Sequence, residues 1–103
     1  MSESDHFYFK DLIVWQKVVE FAKEVIIIAE KNHSERKHFR LLEQMESSAS
    51  SVSMNIAEGR GRHSKKEFKY FLHISRGSLF ETVTLLHIFH IMVWIETEKL
   101  ETL

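Results

Sequence analysis

Leu42-Glu43-Gln44-Met45-Glu46-Ser47-Ser48-Ala49-Ser50-Ser51-Val52-Ser53-Met54-Asn55-Ile56-Ala57-Glu58-Gly59 is the stretch on which the fold turns. Leu42, Met45, Ala49, Val52 and Ile56 recur at alternating spacings of three and four. That is the seam of a helix packed against other helices. Beside it runs a polar row, Gln44, Ser48, Ser51 and Asn55, with Glu58 and Arg76 as prospective partners. Serine and glutamate invite a catalytic reading, but no histidine has an evident place beside them, and a triad is recognised by geometry. The structural reading is the stronger one. Small serines let helices approach closely, and Gln44 and Asn55 fix register at an interface through buried hydrogen bonds. Gly59 reads as a left-handed stop to this helix.

Working outward, a helix is expected from about Glu35, capped by Ser34, to Glu58. Before it lies a helix over about 12–31, with Asp11 as N-cap. Trp15, Val18, Ala22, Val25 and Ala29 form its first apolar row, and Val14, Phe21 and Ile28 a second, so it has two packing partners to satisfy. After the connection at 60–63, Ser64-Lys65-Lys66-Glu67 matches a capping box and opens a third helix, expected to reach about Trp94. Phe68, Phe71, Leu72, Ser75, Leu79, Val83, Leu86, Phe89 and Val93 are its apolar face. Gly77 within it suggests a close backbone approach. Beyond Val83 the helix is apolar on nearly every side and needs cover all round. Only a very short or truncated fourth helix fits after Thr97.

The composition agrees with this all-α, antiparallel up-and-down bundle in a single domain over 1–103, with 1–10 as a flexible N-terminus. The 103 residues include no Pro and 3 Gly, too few turn formers for a sheet-rich fold. Hydrophobic residues make up 44%, enough for one core. The absence of Cys excludes a disulfide framework and thiol chemistry. No signal-peptide core and no apolar run long enough for a bilayer are present, so a cytoplasmic location with no membrane contact is expected.

The net charge of −1 conceals a division: residues 1–30 sum to −3, 31–76 to +5 and 77–103 to −3. The densest basic cluster is Arg60, Arg62, His63, Lys65, Lys66 and Lys69, opposed only by Glu67. It lies where a tight turn meets a helix N-terminus, an arrangement suited to phosphate. Lys31, Arg36, Lys37 and Arg40 form a second basic zone at the opposite end of the bundle. His87 and His90 share a helix face, but His73 is about 21 Å away along the helix. A metal site is therefore not expected, and the absence of a Gly-rich phosphate loop leaves no cofactor and no enzymatic activity to expect.

Asn55-Ile56-Ala57-Glu58-Gly59, followed by Arg62 and Ser64-Lys65-Lys66-Glu67-Phe68, resembles the signature of the four-helix bundle protein family, first described from intervening sequences in bacterial 23S ribosomal RNA genes. Leu12-Ile13-Val14-Trp15-Gln16-Lys17 and Phe71-Leu72-His73-Ile74-Ser75-Arg76-Gly77-Ser78-Leu79-Phe80-Glu81 agree with it. The chain is also similar to the accessory protein of diversity-generating retroelements. The resemblance implies an antiparallel four-helix protomer assembled as a homopentamer. In the retroelement branch it implies nucleic acid and a reverse transcriptase as partners. Three departures stand out. Glu46 and Ser47 replace a common basic pair, Ser53 stands where Pro is common, and the fourth helix is almost missing. The expected function is thus an oligomeric binding or scaffold protein associated with RNA or DNA. The alternative is a protein–protein scaffold without nucleic acid.

Overall fold

A computed structural model describes residues 12–32, 38–92 and 101. Among the described residues there are three helices and no strands: α1 (Ile13–Asn32), α2 (Phe39–Arg60) and α3 (Lys65–Ile91). The expected flexible N-terminus, the Asp11 and Ser34 caps, and all of the fourth helix except residue 101 lie outside the described residues.

The α2 heptad does what its spacing requires. Leu42, Met45, Ala49, Val52 and Ile56 are all buried. The polypeptide runs helically through Ser53, whose hydroxyl donates to the Ser50 carbonyl at 3.0 Å. The helix opens at Phe39, with the Leu42 amide bonded to the His38 carbonyl at 3.0 Å, rather than at Glu35. It also passes through Gly59 to Arg60, which corrects the reading of Gly59 as a stop. Gly61 caps the end with ordinary right-handed torsions, φ −78° and ψ −4°, and donates its amide to the Ala57 carbonyl. The glycine requirement at 59 is spatial. Gly59 is buried, and a β-carbon there would stand 2.6 Å from Phe71 Cβ and 3.3 Å from the Phe68 carbonyl oxygen.

Four α2–α3 relationships run in opposite chain directions: Ser48 with Thr82, Ser51 with Ser78, Val52 with Ser75, and Gly59 with Phe71. They establish the antiparallel pairing of these helices. The face of α3 that packs inward is Phe68, Phe71, Ser75, Ser78, Thr82, Leu85 and Phe89, a strict alternation of three and four. The expected face was rotated from this one. It followed apolarity through Leu72, Leu79 and Val83, but Leu72 and Val83 are exposed while Thr82 is completely buried. Ser75, Ser78 and Thr82 take inward positions because α2 presents the Val52 carbonyl, Ser51 and Ser48 to bond with them.

Ala22, Val25, Ile28 and Ala29 of α1 join Leu42, Met45 and Ala49 of α2 and Leu85, Leu86 and Phe89 of α3 in one core. This core sits toward the α1–α2 connection. The second apolar row of α1 is buried only at Ile28. Phe21 packs partly against the core and Val14 is exposed. Of the first row, Trp15 and Val18 remain half-buried, so the far end of α1 has less cover. Among the described residues nothing lies within 4 Å of where a Gly77 β-carbon would be, so no close approach among them accounts for this glycine. Helix α3 ends at Ile91, and the Met92 amide bonds to the Ile88 carbonyl.

Candidate functional site

The polar row divides. Ser48 is buried, and its oxygen lies 2.8 Å from Thr82 Oγ1. Ser48 also has the Met45 carbonyl as acceptor, and Thr82 has that of Ser78. Two hydroxyl protons thus serve three bonds, so the inter-helix link alternates with the intrahelical ones. One turn on, Asn55 Nδ2 donates to Ser51 Oγ at 2.9 Å, and Ser51 Oγ and Ser78 Oγ share a hydrogen bond, also at 2.9 Å, in which either hydroxyl can donate. Ser75 donates to the Val52 carbonyl at 2.7 Å. Gln44 is exposed, and Glu58 turns to Arg62 one helical turn away. Arg76 lies 3.2 Å from His73 Nδ1 rather than joining the row. These hydroxyls are bonded to each other and to backbone. Among the described residues no histidine is a partner of theirs. The sequence reading missed Thr82; its only signal was position, four residues after Ser78 and seven after Ser75.

The α2–α3 turn gathers the basic residues. Ser64, extended at φ −122° and ψ 152°, caps α3 by accepting the Glu67 amide at 3.1 Å. This holds the turn in one geometry and aims the first residues of α3 outward. The Arg60 guanidinium lies 5.6 Å from the centroid of the Phe68 ring, and that of Arg62 lies 4.9 Å from the Phe71 ring. Contacts of this kind contribute about 0.5–1 kcal/mol at exposed sites. The Glu58–Arg62 pair, both partners well exposed, adds roughly 0.3–0.5 kcal/mol for an i, i+4 helix pair. Arg62 is thereby held over an aromatic ring without being withdrawn from solvent.

The six cluster residues do not form one patch. Arg62 and Lys66 line an open groove with Ser64, Glu67, Tyr70 and Phe71. Lys65 and Lys69, four residues apart, share another flank of α3. Gly61, Arg62, His63, Lys65, Lys66 and Lys69 are all exposed, and Arg60 is half-buried. Tyr70, absent from the sequence-based selection, is 61% exposed and meets Phe71 edge-on at 5.3 Å and 80°. Its place one turn after Lys66 was the signal available for it. At the other end, Lys31 and Arg40 are exposed, while Arg36 and Lys37 lie outside the described residues. His87 is exposed and His90 half-buried; among the described residues no group of three or more potential ligands could hold a metal ion. No helix among the described residues is long and apolar enough to cross a membrane.

No curated protein and no solved structure gives a significant match to the chain. A family model does, over residues 10–103, so that it takes in α1, the serine-bonded α2–α3 pair and the basic turn together. With that match over nearly its whole length, the chain belongs to the 23S rRNA-intervening sequence protein family.

Proposed function

We propose that the protein is a non-enzymatic, self-associating helical scaffold of the cytoplasm that binds nucleic acid, RNA in the first place, through the basic turn between α2 and α3. The observation that carries this reading is the display of Arg60 and Arg62 on the Phe68 and Phe71 rings beside Lys65, Lys66 and Lys69. Cations fixed at a capped turn, Arg62 and the three lysines exposed and Arg60 half-buried, are suited to phosphate, where release of counterions drives association. The family's name, tied to an intervening sequence in ribosomal RNA, supports RNA over other polyanions. Glu46 and the acidic chain ends weaken the overall field, so affinity per subunit is low and owes little to base sequence.

Self-association supplies the rest. Leu72 and Val83 lie on one flank of α3 with Phe80 beside them, and Phe80 is 61% and Val83 50% exposed. Apolar surface of this kind along a helix is suited to burial against another protein surface. A closed ring, for which five subunits is the expected number, forms when this flank packs against a different face of the next subunit. Several weakly binding turns on one rim then combine through effective concentration. The test is replacement of Arg60, Arg62, Lys65 and Lys66 together by Gln. The variant should keep the native mass and helix content and lose RNA binding. If the native protein binds neither RNA nor DNA at low salt, the protein–protein scaffold replaces this reading.

A further inference from the structure

We infer that the groove lined by Arg62, Ser64, Lys66, Glu67, Tyr70 and Phe71 accepts an unpaired nucleotide, with its base against the Tyr70 ring and its phosphate between Arg62 and Lys66. This rests on the nucleic-acid reading above and specifies the partner as single-stranded. Tyr70 is 61% exposed, and its edge-on contact with Phe71 can occupy at most one ring face, so an aromatic surface stays open to solvent. The tyrosine hydroxyl can donate to phosphate, and the open ring face adds a surface on which a base can stack, since every base presents a π-face. Lys66 is one helical turn before Tyr70, which puts a cation and a ring side by side on the helix surface. Arg62 is held across the groove by the Phe71 ring, 4.9 Å away, and by Glu58, so the second cation is pre-positioned rather than swinging free.

Glu67 separates a nucleotide from a bare anion. A carboxylate in the wall opposes phosphate or sulfate, yet it accepts hydrogen bonds from exocyclic amines of bases. A duplex still offers its phosphates to the cations, but its bases are stacked on each other and cannot stack on Tyr70. The groove therefore discriminates by strandedness, using a stacking surface beside cations, the same physical device as single-strand channels in general.

The test uses the full chain, fluorescence anisotropy, and RNA on the order of ten nucleotides, within the site sizes of such grooves. Single-stranded, duplex and abasic forms of one sequence are compared with native protein and with Tyr70→Ala and Tyr70→Phe. Native protein should hold the single strand about tenfold more tightly than the abasic strand, the loss expected for one stacked base. Tyr70→Ala should remove that difference and leave duplex binding unchanged, while Tyr70→Phe preserves it. Circular dichroism confirms that the exposed substitution leaves the fold intact. If all three RNAs bind alike and Tyr70→Ala changes nothing, the stacking groove is wrong although the nucleic-acid reading survives. If no RNA binds at all, both fall, and an acidic protein surface becomes the fitting occupant of the turn.

Discussion

A β-carbon on residue 59 would lie 2.6 Å from Phe71 Cβ, closer than such atoms pack, so Gly59 sets how nearly α2 and α3 approach at the turn. Alanine is the better helix former by about 1 kcal/mol. Here the steric term wins, because the obstructing atoms are a β-carbon and the Phe68 backbone, neither of which can swing aside. Gly59→Ala should destabilise the protein by about 1–3 kcal/mol, the cost of overpacking, measured as a lowered urea midpoint. An unchanged midpoint would mean that the helices part there without penalty.

Gly77 gives the opposite expectation from the same substitution. Among the described residues nothing lies within 4 Å of its β-carbon position, so Gly77→Ala should raise thermal stability by up to about 1 kcal/mol through helix propensity alone. A loss of stability together with a reduced particle mass would place Gly77 against another subunit.

The hydroxyl pair Ser48–Thr82 joins the two helices where no solvent reaches Thr82. Thr82→Val keeps the shape and removes one partner, and should cost about 1 kcal/mol. Ser48→Ala combined with Thr82→Val should cost less than the two single changes added, since the inter-helix bond that either single change removes is lost only once. Chemical denaturation of the four proteins of the cycle measures the coupling; strict additivity would show that the hydroxyls act through their own helices only.

Val83→Glu tests the exposed flank of α3. Val83 is half exposed in the protomer, so a carboxylate there leaves the core intact. Placed in a subunit interface, it would be buried without a partner and oppose assembly. Sedimentation velocity should show the native oligomer replaced by a folded protomer of about the chain mass of 12.3 kDa. An unaltered sedimentation coefficient moves the interface elsewhere.

Much of this architecture was legible because α2 writes its buried face in apolar letters: Leu42, Met45, Ala49, Val52 and Ile56 name themselves by spacing. Helix α3 does not. Its inward positions include Ser75, Ser78 and Thr82, and their burial is tolerable only because Ser48, Ser51 and the Val52 carbonyl of another helix meet them. No local rule supplies that information, so a reading by apolarity drifted to Leu72 and Val83. Gly59 was misread as a stop for a related reason: whether a glycine ends a helix or admits a neighbour depends on what stands opposite. At the basic turn, charge density along the sequence located Arg60, Arg62 and Lys66. Tyr70 was overlooked because only the folded turn shows its ring exposed beside them.

The most direct test of the central claim is the affinity of the native protein for single-stranded RNA as salt rises from about 50 to 200 mM. If Arg60, Arg62, Lys65 and Lys66 meet phosphate, the logarithmic slope should be near −3, an affinity loss of about fiftyfold across that range, from roughly 0.7 counterion released per contact. Affinity that is absent at low salt, or that holds steady as salt rises, would contradict a nucleic-acid-binding turn.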